Sequence, residues 1–256
     1  MIISNFLDKL KDHRPLIGVV GDAMIDRYIP VIVDRISPEF PNPITRRDQS
    51  KPILELPGGA ANVAYQFNNF NVESQLITCY DQYASEVFDK YKIKGDRDTS
   101  YDFNSFYVCC EHDKRLNPVK TRFYSDDFPY SRYDDEMPFE EWKNLGGIDE
   151  DILSITEFET WVDFEALIIS DYHKGFFHSA NHPEVWVKRA PITIVDPKKN
   201  PIARWKGCTV FKPNEVEAKA ISGKTDWEDQ ADYFLKGLDC KHVVITQGGS
   251  GVVGKS

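Results

Sequence analysis

Six short apolar runs recur along the chain: LIGVVGD at 16–22, SQLITCYD at 74–81, EALIISDY at 165–172, PITIVDP at 191–197, CTVFKPN at 208–214 and KHVVITQGG at 241–249. They are rich in Val and Ile and nearly continuous, the pattern of strands covered on both faces. Between several of them lie stretches with helical character: GGAANVAYQFNNF, HPEVWVKRA, NEVEAKAIS and WEDQADYFLKGL. This alternation predicts an α/β fold, a three-layer sandwich with a mostly parallel central sheet. In such sheets chemistry gathers at the carboxyl ends of the strands, so the polar residues that end these runs are the candidates.

Two regions break the rhythm. Residues 27–57 carry prolines and short β-like pieces (YIPVIV, PNPITRR, KPILEL), and residues 104–135 contain NSFYVCC and PVKTRFYS. They predict β-rich insertions that form a small lid; the plainer alternative is a pair of surface hairpins. The N-terminal MIISNFLDKLKDHRP reads as a short amphipathic helix, because charged residues interrupt its apolar positions where a signal peptide would have an apolar core.

Composition narrows the classes. With 256 residues and 41% hydrophobic content, the chain is large enough for one substantial core, and a single domain over 1–256 is expected. A net charge of −10 argues against broad phosphate neutralisation of nucleic acid. No apolar run approaches the roughly 20 residues that span a bilayer. The 5 cysteines show no CxxC spacing and read as small buried hydrophobes in a reducing cytoplasm.

Candidate chemistry follows the run ends. In GDAMIDRY, Asp22 and Asp26 are acceptor groups suited to sugar hydroxyls, although an Asp at a strand end commonly caps a turn. Gly58 and Gly59 in PGGAAN allow a ligand close to the backbone, and Asn62 would stand one turn into the following helix; helix–sheet packing explains the glycines as well. Lys174 in DYHKG and Lys198 in DPK follow strands and can neutralise phosphate. In PNEVE, Asn214 caps a helix and shares a face with Glu217, which can hold a hydrated Mg2+ through water. The stretch GSGVVGKS at 249–256 matches the P-loop pattern, but a P-loop requires a helix after its Lys-Ser. The stretch reads better as a Gly-rich turn and a second strand.

Taken in order, these motifs resemble the ribokinase-like (PfkB) carbohydrate kinases over nearly the whole chain, 66–118 being poorly matched. GDAMIDRY, RISPEFPNP, ELPGGAANVA, ISDYHKG, IVDPKKNP and FKPNEVEA look particularly like the kinases of D-glycero-β-D-manno-heptose 7-phosphate, the first half of bifunctional ADP-heptose synthesis proteins. The run 119–136, with Lys120, Arg122, Arg132 and Asp134, is similar to that subgroup too. The resemblance implies an ATP- and Mg2+-dependent kinase of a sugar phosphate. It implies that Asp26, Gly58, Gly59 and Asn62 hold sugar hydroxyls and that Lys120 and Arg122 bind the sugar's anion. It implies that Lys174, Lys198, Asn214, Thr246, Gly248 and Gly251 serve the nucleotide, with Glu217 organising Mg2+ through water. A homodimer through the lid is also implied.

Two departures bear on activity. The usual GxD after the second strand is absent, and CYDQYAS stands there instead. The family's GAGD element, which carries the anion hole and the catalytic Asp, is expected beyond Ser256, so the chain alone is expected to lack its base. The alternatives are a non-catalytic sugar- or nucleotide-binding remnant of the same fold, a P-loop NTPase, and a nucleoside kinase. The basic residues around 119–135 favour a phosphorylated sugar over a nucleoside.

Overall fold

The computed structural model describes residues 15–70, 72–91, 93, 107–109, 116–126, 128–142, 163–177, 183–198 and 201–256. The expected N-terminal helix lies outside them.

The first half of the chain gives β1 (Leu16–Gly21), the long β2 (Ala23–Ile36), β3 (Pro43–Arg47), β4 (Leu54–Gly59), α1 (Ala60–Asn69), β5 (Glu73–Tyr80) and α2 (Gln82–Lys90). Then come β6 (Tyr107–Cys109), β7 (Val119–Ser125), β8 (Phe128–Asp135), the single turn α3 (Phe139–Trp142) and β9 (Ala166–Ser170). The rest comprises β10 (Ile192–Asp196), β11 (Val210–Phe211), α4 (Glu215–Ser222), α5 (Trp227–Leu238), β12 (His242–Thr246) and β13 (Val252–Lys255).

Eight strands form the main sheet in the order β13-β12-β11-β10-β9-β1-β5-β6. All its pairings are parallel except β12 with β13. Successive side chains leave a strand on opposite faces, and the runs are apolar on both. Val19 and Leu76 pack with Ala60, Ala64 and Phe88 on one side. Val20, Ile77, Leu167, Val195 and Phe211 pack with Trp186, Trp205 and Phe234 on the other. Helix α5 buries Ala231, Phe234 and Leu238 at helical spacing, and Asp226 caps it by accepting from the Glu228 N–H at 2.9 Å. Burying a side chain the size of Phe234 contributes about 2–3 kcal/mol. The HPEVWVKRA segment, expected as an α-helix, is a 3₁₀ helix over Pro183–Lys188. Its run of Val185, Trp186 and Val187 is stiff at χ1 and a poor helix former.

The smaller sheet runs β3-β2-β7-β8. Residues 23–28 of β2 pair with β4 on one edge, residues 25–30 pair with β7 on the other, and residues 31–36 pair with β3. Two features differ from the expectation drawn from sequence. The Tyr107–Cys109 strand, placed in the second lid insertion, pairs with β5 at the edge of the main sheet. The lid strand β2 begins at Ala23, inside the motif that ends β1. Among the described residues no helix is long and apolar enough to cross a membrane.

Candidate active site

Because the main sheet is parallel, its strand ends open on one edge, and backbone hydrogen bonds stitch the loops there into a row. The Asp22 N–H donates to Ser170 O (3.1 Å), that of Asp171 to Asp196 O (3.0 Å), that of Lys212 to Val195 O (2.8 Å) and that of Thr246 to Pro213 O (3.2 Å). Asp22 is buried, and its carboxylate accepts three backbone N–H groups of the next loop, from Tyr172 (2.8 Å), Lys174 (3.2 Å) and Phe176 (3.0 Å). Burial, reinforced by the charge of Asp171, pushes its pKa up to about 6, while the three donors pull it down.

The loop held by Asp22 forms the floor of a cleft of about 340 Å³, walled by Lys120, Arg132, Asp134, Tyr172, His173, Lys174 and Lys198. Four cations face one carboxylate there, a composition that suits an anion. The lid supplies three of these side chains through its register. Asp26 pairs with Lys120 and Lys120 with Asp134, so the three stand on one face of the lid sheet, with Arg122 and Arg132 two residues on. Burial, and then the nearby Arg132 and Lys174 charges, lower the Lys120 pKa. Its ammonium stands 5.6 Å from the Tyr172 ring centre, where a cation is attracted to the π face. Lys174 is committed to Glu136 (2.6 Å), and Arg132 to Asp134 (2.6 Å).

A second cleft, of about 150 Å³, is lined by Asp171, Tyr172, Asp196, Pro197, Lys198, Lys212, Asn214, Glu217 and Thr246. Burial raises the pKa of Asp171 and of Asp196, and Lys212, 3.1 Å from Asp196, opposes the latter shift. Asn214 is the N-cap of α4 in a capping box: its Oδ1 accepts from the Glu217 N–H, and Glu217 Oε2 accepts from the Asn214 N–H, both at 2.9 Å. Glu217 Oε1 takes the Lys198 ammonium at 2.7 Å. Tyr172 and Lys198 belong to both walls, so the two clefts meet at a seam.

No family model matches the chain. The bifunctional protein HldE of Pseudomonas putida (strain GB-1) is 31% identical over 94% of this chain and 48% of its own length. HldE of Enterobacter sp. (strain 638) is 32% identical over 85% of this chain and 43% of its own. The chain thus spans about half the length of the curated relatives it matches. In fold, phosphofructokinase-2 from Escherichia coli in complex with fructose-6-phosphate superposes with a TM-score of 0.63 at 16% identity, over 95% of this chain and 77% of that one. A structure from Agrobacterium tumefaciens, provisionally described as a ribokinase, gives 0.60 at 15% identity, over 94% and 73%. The chain belongs to the HldE family and has a ribokinase-like fold.

Against that ribokinase-like frame, the residues singled out in the sequence divide into three groups. Lys120, Lys174, Lys198, Asn214, Thr246 and Glu217 line the two clefts. Asp26, Gly58, Gly59 and Arg122 stand beside them at the lid root and line neither. Asp26 is ion-paired with Arg122 at 2.6 Å, and Arg122 lies 5.2 Å from the Tyr28 ring centre, so this guanidinium is occupied internally. A Cβ on Gly58 would stand 2.8 Å from Asp26 Oδ2, and Gly59 has φ +58 with the Asp22 carbonyl where its Cβ would go. These two glycines let β4 lie against the Asp22–Asp26 strand. Asn62 is exposed on α1, where it accepts from Gln66 Nε2 at 3.2 Å, and it lines neither cleft. Gly248 and Gly251 form the β12–β13 turn, closed by the Gln247 N–H donating to Gly251 O at 2.8 Å.

One reading is corrected, and two other stretches take structural roles. Asp22, read as a sugar-hydroxyl acceptor, is buried, lines neither cleft and gives its carboxylate to three backbone N–H groups. GSGVVGKS takes the expected form of a turn and a second strand, β13, antiparallel to β12, with Lys255 paired to Asp232 at 2.8 Å. In CYDQYAS, Asp81 caps α2 and accepts from Ala84 (2.8 Å), Leu116 (2.8 Å) and Asn117 (3.2 Å), a structural role the missing GxD had obscured. Sequence reasoning missed Tyr172 and Lys212 as wall residues. Their signal was present, since Lys212 follows β11 directly and Tyr172 stands two residues after β9.

Proposed function

We propose that the chain serves ATP-dependent phosphoryl transfer to a hydroxyl of a phosphorylated sugar, with heptose 7-phosphate as the substrate. The observation that carries this reading is the seam at Tyr172 and Lys198, where a cationic cleft under the lid meets one walled by Asn214, Glu217 and Thr246. The larger cleft has the volume and charge for a sugar phosphate. Lys120, Arg132 and Lys174 face its anion, and Asp134, with Asp26 at the margin, accepts from hydroxyls. The smaller cleft takes nucleotide phosphates beside Lys212, with Lys198 at the seam and Gly248 and Gly251 in the adjoining turn.

Mg2+ carried in with ATP would neutralise the phosphates. The residues fit an outer-shell role only: both Glu217 oxygens have protein partners, and among the described residues no group of three or more His, Cys, Asp or Glu can hold a metal ion. Transfer of this kind rests on positioning and charge neutralisation. The resemblance assigns the proton acceptor to the Asp of a GAGD element, which no stretch of residues 1–256 matches. A homodimer through the lid belongs to the same reading, supported by Phe128 and Tyr133 on β8, 65% and 60% exposed.

Calorimetric titration with heptose 7-phosphate and with a non-hydrolysable ATP analogue plus Mg2+, beside an ADP-release assay, tests the proposal. Both ligands are expected to bind, and the sugar without its phosphate at least about tenfold more weakly. Failure of either ligand to bind, or equal affinity for the two sugars, sinks it. Binding without turnover favours the non-catalytic reading for this chain.

A further inference from the structure

Among the described residues, Lys198 is the one charged residue in the walls of both clefts. Its ammonium is 2.7 Å from Glu217 Oε1, and the two side chains are 45% and 9% exposed. Glu217 is pinned by its second oxygen, which caps α4; Lys198 sits on a flexible stem, nearly half exposed. The mobile partner of this pair is therefore the lysine. Among the described cations of the cleft walls, Lys174 is held by Glu136, Lys212 by Asp196 and Arg132 by Asp134, while Lys120 stands on the Tyr172 ring and lines the larger cleft alone.

We propose that Lys198 couples the two ligands. It leaves Glu217 when both clefts fill and sits between the nucleotide's terminal phosphate and the anionic sugar, where two like-charged ligands face each other. The proposal rests on the reading of the clefts given above and adds to it a specific residue and a specific quantity, the binding coupling between the ligands. The same movement frees Glu217 Oε1 for a water of the hydrated Mg2+. Glu217 thus serves as the resting partner of the coupling lysine and then as an outer-shell acceptor.

The test is a thermodynamic cycle by calorimetry on wild type, Lys198→Met, Lys198→Arg and the double variant Lys198→Met/Glu217→Gln. The probes are heptose 7-phosphate and AMP-PNP with Mg2+, each titrated alone and each in the presence of the other. Lys198→Met is expected to weaken each ligand alone by no more than about threefold, and to make each weaken the other by about tenfold or more. Lys198→Arg is expected to restore most of the coupling. The double variant, which leaves no unpaired Glu217 carboxylate, keeps the lost coupling if the charge at the seam is its source, and thermal unfolding checks that each variant is folded. Coupling that survives Lys198→Met overturns the inference, as does a loss confined to one ligand and equal in binary and ternary titrations. If wild type binds neither probe, the reading of the clefts fails instead, so the two failures are distinguishable.

Discussion

Replacing Asp22 by Asn asks whether burial or the backbone donors control the carboxyl that anchors residues 172–176. Its side chain is almost wholly enclosed, and burial followed by repulsion from Asp171 raises its pKa from 3.8 to about 6. A rise of roughly two units corresponds to about 3 kcal/mol. The folded carboxyl holds its proton more tightly than the unfolded one. Its contribution to stability is therefore full below about pH 4 and is lost as pH rises through about 6. The amide of the Asp22→Asn variant does not titrate, and the remaining acids titrate in both proteins. The stability of wild type relative to Asp22→Asn should thus rise by most of those ~3 kcal/mol between about pH 7.5 and about pH 4. Urea unfolding in half-unit pH steps, with the slope compared between the two proteins, gives the difference directly. A flat difference, or one that falls on acidification, would show that the three N–H donors outweigh burial and would refute the reasoning.

Gly59→Ala places a Cβ 2.4 Å from the Asp22 carbonyl on a left-handed backbone; the backbone alone costs ~1–2 kcal/mol, so the thermal midpoint should fall by at least about 4 °C, and an unchanged midpoint counts against the packing described. Asp81→Ala leaves the N–H groups of Ala84, Leu116 and Asn117 without their acceptor and should cost at least ~3 kcal/mol in urea unfolding, with a near-neutral result contradicting a structural role. Lys255→Ala removes an exposed strand ion pair; solvent screening should leave the urea midpoint essentially unchanged and ATP-analogue affinity intact, whereas lost affinity would reinstate the P-loop reading.

The Val/Ile runs made the parallel sheet legible, because a strand buried on both faces cannot alternate. Strand ends then pointed to Lys174, Lys198, Asn214 and Glu217 before any geometry was known. What stayed hidden was everything set by non-local register. Nothing near Tyr107–Cys109 says that its partner is β5 rather than a lid strand. Asp26 and Arg122 are separated by 96 residues yet form an ion pair, a partnership that the sequence around neither residue displays. Asp22 looked as accessible as Asp26. Its difference lies in a loop about 150 residues away, whose backbone donors no local pattern displays.

The same non-local contacts explain why the lid can position charge over the cleft. Its strands leave the core through a buried polar knot. The Ala23 N–H donates to Thr78 Oγ1 (3.3 Å), Thr78 Oγ1 donates to Gly21 O (2.7 Å), and Asn117 Nδ2 donates to Ala23 O and Cys79 O (both 3.0 Å). Just beyond, Arg27 and Tyr83 both hydrogen-bond Glu55, tying β2, β4 and α2 together. Directional bonds of this kind, removed from water, tolerate little displacement, since an unmet partner costs about 1–3 kcal/mol. The root of the lid is therefore fixed to the core over residues 23–28, while β8 is exposed along its whole length. Asp26 and Lys120 pair within that fixed segment. Their placement over the loop anchored by Asp22 follows from the knot, and a lid that moves does so beyond them.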